Sequence, residues 1–227
     1  SWDGPVEPWP GDVGNAGDVH GAADGCDAIV HIVGIVEEDP PERTFERINI
    51  GGTRSIVAEA ARAGVRRLLF ISSLGAERGE SDYHRSKVES ERIAMQFMGT
   101  WTVLRTGAVV GPGDETVSVL LRMLRTLPAV PVIEDGDQPF QPVWHEDVAW
   151  AVAECLQRDD VGGRVLNIAS DDVLTVNDVL DLFSNVTDRS PLRVPLPAVL
   201  AKLGTSIASG IGIETPVSAA TVQMLLE

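Results

Sequence analysis

The stretch Ser81-Asp82-Tyr83-His84-Arg85-Ser86-Lys87 holds the only tyrosine of the 227-residue sequence and, four positions on, one of its two lysines. Residues four apart share a face of a helix, so a helical segment here would point Tyr83 and Lys87 the same way. A phenol ionises near pH ~10 and is a poor acid–base group at neutrality; an adjacent ammonium favours the phenolate. A tyrosine tuned in this way takes a proton from a carbinol oxygen, or returns one, during hydride transfer at that carbon. Ser72 and Ser73 end an apolar segment just upstream. A hydroxyl there can hydrogen-bond the same oxygen and hold it for reaction. The competing reading is a solvated helix turn preceded by two strand-terminal serines.

The elements that must position these groups are legible in the hydrophobic pattern. Ala28–Val33 and Arg67–Ser73 are short, β-branched and almost continuously apolar, as strands covered on both faces are in a parallel sheet. Between them Asn49–Ala63 reads as a helix with Ile56, Val57, Ala60 and Ala61 on one face, stopped by Gly64. Strand, helix, strand at this spacing is a βαβ unit. The segment bearing Tyr83 and Lys87 reads as the next helix, and Trp101–Val110 as a third strand. The serines then sit at the carboxyl edge of the sheet, where open α/β folds bind ligands. Further on, Val117–Arg125 reads as a helix, and Asp147 as the cap of another with Val148, Val152 and Leu156 inward. Val165–Ala169 reads as a strand. Thr175 and Asp178 have the spacing of a capping box that opens a helix over Val179, Leu180 and Phe183. The Pro- and Gly-rich C-terminal third reads as a small irregular lobe.

Composition bounds the partners. Eighteen basic against 34 acidic side chains leave a net charge of −16, which repels nucleic acid and anionic lipid. No apolar run is long enough to span a bilayer, and the N-terminus has neither the basic region nor the apolar core of a signal peptide. Cys26 and Cys155 stand far apart, as in a reduced cytoplasmic protein. His20, His31, His84 and His145 lack metal-ligand spacing; His31, inside an apolar run, reads as a satisfied core or strand-end histidine. Glu37, Glu38 and Asp39 read as a solvated turn. Trp144 and His145 either line a substrate cleft or pack in the core.

The segments DAIVHIVG, INIGGTRSIVAEAARAGVRRLLFISSLGA, YHRSK, LRTGAVVGPGD and FQPVWHEDVAWAV occur in the order seen in extended and atypical short-chain dehydrogenases/reductases. The sequence resembles the branch that includes the NAD(P)H-binding accessory subunit of respiratory complex I and nucleoside-diphosphate-sugar epimerase-like proteins, from about Pro10 to Leu226. The resemblance implies a Rossmann-like doubly wound parallel sheet, with residues 1–110 forming the dinucleotide-binding core and 111–227 the remaining core elements and a small substrate-binding lobe. It implies NAD or NADP as cofactor, a small-molecule carbonyl or carbinol substrate, and a monomer or homodimer. Tyr83 would be the general acid/base; Lys87 would lower its pKa and bind the nicotinamide ribose. Ser73 would be the polarising hydroxyl, with Ser72 the second candidate and a cofactor neighbour. Asp12 and Val13 match the pair beside the adenine, and Val33 and Gly34 the loop beside the adenosine ribose. Thr106, Gly107 and Ala108 match the segment lining the nicotinamide, though the family more often has proline where Thr106 stands. Asn49 matches a position that supports the active-site strand.

One departure stands at the start. Gly11, Gly14 and Gly17 come after the adenine position and lack a preceding strand and a following helix, so they read as a loop and not as the pyrophosphate-binding turn. The sequence thus enters the fold at its third strand, with one βαβ element missing. The functional alternatives are an NAD(P)-dependent oxidoreductase or epimerase, and a non-catalytic NAD(P)H-binding accessory or sensor protein. Fold alone does not separate them.

Excess carboxylate with scarce lysine points to a high-salt interior, where counterions relieve self-repulsion. The Debye length falls to about 3 Å at molar ionic strength. Melting temperature should therefore rise as KCl is raised from millimolar to molar; a flat or falling curve would remove the halophilic reading.

Overall fold

In a computed structural model, whose described residues are 6–114 and 117–201, the two apolar runs become strands β1 (Ala28–His31) and β2 (Arg67–Ser73). With β3 (Thr100–Thr106) and β8 (Arg164–Ile168) they form one parallel sheet in the order β1-β2-β3-β8. The register is continuous: Ser73 pairs with Thr106, and Thr106 with Ile168. Alternate residues of β2 serve opposite layers, as the pleat requires. Leu68 and Phe70 pack with Ala60, Ala94 and Phe97 beneath helices α2 (Gly52–Arg62) and α3 (Asp82–Ala94). Leu69 and Ile71 pack with Val152, Cys155 and Leu156 of α5 (His145–Gln157) on the other face. The fold is the α/β, Rossmann-like sheet that the sequence predicts.

Local chemistry moves several boundaries. The helix expected over Asn49–Ala63 begins earlier, as a π-helical segment Phe45–Gly51 that runs into α2, with the Thr44 hydroxyl accepting from Arg47 N at 3.2 Å. The loop expected around Gly11, Gly14 and Gly17 contains one helical turn, α1 (Ala16–Val19), because Asn15 Oδ1 accepts from Gly17 N at 3.1 Å. Asp147 is not a cap: the last helix over the sheet starts at His145, Trp144 is its N-cap residue, and Asp147 lies in the first turn, where a carboxylate still opposes the helix dipole. The strand expected over Trp101–Val110 splits at Gly107. β3 stays in the main sheet, while β4 (Ala108–Val110) leaves it to pair with β7 (Pro142–Trp144).

The remaining described residues form a smaller layer. There α4 (Val117–Thr126) and α6 (Val176–Thr187) enclose Leu124, Val130, Val132 and Leu180 against β5 (Ala129–Ile133), which pairs with β10 (Leu192–Leu196). The short strands β6 (Pro139–Phe140) and β9 (Leu174–Thr175) are antiparallel. The expected capping box is present: Thr175 Oγ1 accepts from Asp178 N at 3.1 Å, and Asp178 Oδ2 from Thr175 N at 2.8 Å. Part of the predicted C-terminal lobe, including Gly204, Gly210 and Gly212, lies outside the described residues.

Two positions fix the sheet's carboxyl edge. At Gly107 an added Cβ would stand 2.1 Å from the Gln141 carbonyl oxygen, so only glycine permits this approach of backbones. Gly107→Ala should destabilise the protein by about 2 kcal/mol or more, measured by urea unfolding; an unchanged midpoint would show that the crossing can open. His31 is buried, with Nε2 3.1 Å from Thr53 Oγ1, whose hydroxyl donates to Asn49 O at 2.6 Å. The hydroxyl proton is thus spent, and the neutral ring donates to Thr53. Burial first, and the Lys87 charge second, push His31 down from 6.5 to about 4. As pH falls through this window the unfolded chain takes up a proton that the folded chain refuses, so stability is lost by up to roughly 3 kcal/mol. His31→Leu should shed less stability than the parent between pH 7 and pH 4.5; parallel losses would show that carboxylates alone set the acid limb.

Candidate active site

Tyr83 stands in the first turn of α3, which Ser81 caps by accepting from His84 N at 3.3 Å. The phenol is flanked by the rings of Phe45 and His84, with centroids at 6.2 and 5.2 Å. Its nearest polar influence is the side chain of Ser73, the last residue of β2, which draws the phenol's pKa down. Lys87, one turn along, is buried: its Nζ donates to Ile71 O at 2.7 Å and lies 4.6 Å from the centre of the Phe70 ring. The structure therefore brings Ser73, Tyr83 and Lys87 together at the carboxyl edge of a parallel sheet. Ser72 goes elsewhere. The pleat turns it under α3, where its hydroxyl donates to Glu91 Oε1 at 2.5 Å.

The electrostatics differ from the simple expectation for a tyrosine–lysine pair. Burial raises the phenol's pKa, and the Ser73 side chain opposes that rise in part. Desolvation lowers Lys87 from 10.5 to about 8, while the Glu91 charge pulls it back up. Lys87 lies against a carbonyl and an aromatic face, so the phenol is governed by its burial and by Ser73.

The residues matched to a dinucleotide flank the start of the helix between β1 and β2. Val33 and Gly34 follow β1 and are exposed. A Cβ on Gly34 would lie 3.3 Å from Asn49 Oδ1 and 3.8 Å from Lys87 Nζ, so the bare glycine leaves room directly above the ammonium. Asn49 braces this loop by accepting from Ile35 N at 2.8 Å and donating to Ile35 O at 3.0 Å, and it donates to Ser86 Oγ at 2.9 Å. Val13 packs on Gly52 at the head of α2, whereas Asp12 accepts from Gly14 N at 2.8 Å and pairs with Arg47. Thr106 is buried at the end of β3. Gly107 N donates to Ile168 O at 2.8 Å and Ala108 N to Gln141 O at 3.2 Å, which locks this segment across to β8 and β7. These groups fit a dinucleotide laid along the edge.

A cavity of about 310 Å³ opens beyond β8, lined by Val110, Val143, Trp144, Asp147, Ile168 and Ser170 among others. Ser73, Thr106 and Ile168 stand on successive strands, which places its mouth about 10 Å from Ser73. Trp144, at 43% exposure, lines this cleft and is not a core residue.

Sequence reasoning missed Glu91, Arg105 and Ser86. Glu91 continues the Tyr83–Lys87 stripe by another four residues, and Arg105 is a cation inside an otherwise buried strand, which demands an acid. Either fact can be read from the residues alone.

Comparison with known proteins bears on the family and the fold. The chain is 30% identical over 199 residues to a ceramide reductase of Caulobacter vibrioides, covering 86% of this chain and 62% of that protein. It is 25% identical over 181 residues to NADH dehydrogenase [ubiquinone] 1 alpha subcomplex subunit 9, mitochondrial, of Arabidopsis thaliana, covering 78% of this chain and 44% of that protein. The chain thus spans only part of the length of these curated relatives. Its fold is similar to the UDP-glucose 4-epimerase of Thermus thermophilus, solved in complex with NAD, with a TM-score of 0.71 at 23% identity over 83% of this chain and 71% of that one. Residues 6–169 match the model of the NAD dependent epimerase/dehydratase family, and the chain belongs to that family.

Proposed function

We propose that this chain carries the catalytic half of an NAD(P)-dependent oxidoreductase or epimerase acting on a carbonyl or carbinol substrate. The observation that carries the reading is the single tyrosine, beside Ser73 at the end of β2 and one helical turn from a buried Lys87. Family membership and the dinucleotide-bound epimerase fold support it. Residues 1–110 would hold the dinucleotide and residues 111–227 the remaining core and the substrate lobe, with the cleft at Trp144 and Asp147 receiving the substrate's far end.

Val33, Gly34 and Lys87 would hold the adenosine and nicotinamide riboses, and Thr106, Gly107 and Ala108 would line the nicotinamide. The bound dinucleotide supplies the acceptor or donor of hydride. Ser73 would donate a hydrogen bond to the substrate oxygen, displacing its contact with Tyr83 only in part. Tyr83 would pass a proton to that oxygen in reduction and take one in oxidation. A carbonyl oxygen that gains charge as it is reduced sits beside a hydroxyl pair and an ammonium, which favour the charged transition state over the neutral ground state.

Tyr83→Phe in the full-length protein should leave dinucleotide affinity nearly intact and cut turnover at least about a hundredfold. Lys87→Ala should lower both. Affinity is read from NAD(P)H fluorescence, and turnover from a panel of ketones, aldehydes and nucleoside-diphosphate sugars. Undiminished turnover in Tyr83→Phe would defeat the catalytic assignment and leave the accessory, dinucleotide-binding role.

A further inference from the structure

Three successive residues at the end of β2 are gripped by three residues of one helical stripe. Lys87 Nζ holds Ile71 O at 2.7 Å, Glu91 Oε1 accepts from Ser72 Oγ at 2.5 Å, and Tyr83 stands within the influence of Ser73. The helix residues are four apart, so they share one face of α3 over two turns. Glu91 is itself fixed. Arg105 is the direct neighbour of Ser72 on β3, and its guanidinium donates from Nε to Oε1 at 2.8 Å and from a terminal nitrogen to Oε2 at 2.6 Å. Its other terminal nitrogen pairs at 2.8 Å with Glu77, in the loop that leads from Ser73 to α3. Glu91 and Arg105 are 2% and 8% exposed, so the carboxylate is held in one orientation by its fork.

We propose that Glu91 is a positioning residue for the Ser73–Tyr83–Lys87 site: clamped by Arg105, it seats the end of β2 under α3 and presents its carboxylate one helical turn from the buried Lys87. The loop from Leu74 to Ser81 is too long to set the distance from Ser73 to Tyr83 by itself. The Ser72–Glu91 contact sets it from the next residue. The second role follows from charge. Phe70, Ile71 and Gly34 surround Lys87 with neutral groups, and the ionisable groups facing it are His31 of β1, held neutral, with Tyr83 and Glu91 of its own helix. Glu91 is the anion among these, and its field opposes the desolvation of the ammonium.

The catalytic meaning of this proposal rests on the function proposed above, but its test needs no substrate. One tyrosine and two lysines make both groups directly readable: Tyr83 by ultraviolet difference titration, Lys87 by NMR of ¹³C-labelled lysine, with Lys202→Arg to assign the signals. Glu91→Ala risks misfolding, so the variants are Glu91→Gln, which keeps the shape and an acceptor oxygen, and Ser72→Ala, which removes the strand contact alone. In folded Glu91→Gln, Lys87 should titrate at least about half a pH unit lower than in the parent. In Ser72→Ala, a looser Ser73 should let the phenol titrate about half a unit higher, with Lys87 unmoved. An unshifted Lys87 in folded Glu91→Gln overturns the charge-holding role, and an unshifted Tyr83 in Ser72→Ala overturns the seating role. If turnover survives Tyr83→Phe, the catalytic reading fails and these titrations still stand or fall by themselves.

Discussion

Lys87 carries an ammonium into the interior, between the sheet's carboxyl edge and the helix that bears it, and the surrounding structure is arranged so that it can stay there. An unpaired buried charge costs several kcal/mol or neutralises itself by giving up its proton. Here the lost hydration is replaced by a carbonyl oxygen at 2.7 Å, an aromatic face at 4.6 Å and a carboxylate one turn away. The replacement is partial, which is why Lys87 is drawn down to about 8. Each substitute needs its own support. The Ile71 carbonyl is free to accept because the neighbouring strand β1 stops at His31, opposite Phe70. The Phe70 ring is held by the core beneath α2 and α3, and the carboxylate by Arg105.

The same arrangement accounts for the division of labour between Ser72 and Ser73. Adjacent strand residues face opposite layers, so one hydroxyl of the pair can serve the helix that covers the sheet while the other meets the phenol at the edge. A single serine could not do both. The doubled serine thus joins a structural contact to a reactive one with no intervening residue. A one-residue slip that carried Ser73 under α3 would bring Leu74, an apolar side chain, to the phenol.

How much of this is visible in the sequence follows from the range of each interaction. The strands β1 and β2 are legible because sheets covered on both faces leave uninterrupted apolar runs, and the Tyr83–Lys87 face because it obeys one helical period. The capping box of α6 is legible because its two bonds lie within four residues. The split of the third strand at Gly107 is not, because what ends β3 is the Gln141 carbonyl, 34 positions away, pressing on a residue that reads locally as part of the run. Asp147 reads as a cap because a good capping side chain two residues inside a helix spells the same signal. The earlier start of the first long helix is hidden because the π-helical turn at Phe45–Gly51 follows neither the helical nor the strand period. Glu91 and Arg105 are legible separately, as a stripe residue and an anomalous strand cation, but their pairing spans helix and strand.

The skewed basic composition also acquires a structural meaning. Sixteen of the eighteen basic residues are arginine. Arginines form ion pairs along the described surface, among them Arg62 with Glu59, Arg67 with Asp159 and Arg158 with Asp160, and one reaches inside at Arg105. A planar, permanently charged fork suits these roles, because it binds a carboxylate through two parallel hydrogen bonds and its charge survives partial burial. None of those properties suits position 87. That site is closed below by the Phe70 ring and the Ile71 carbonyl, and it lies one turn from the only phenol. A compact cation serves there, with a proton affinity that its surroundings can lower, whereas a guanidinium is too basic to be tuned. Against a background that uses arginine almost everywhere else, a lysine at position 87 is what a tunable cation beside the phenol requires.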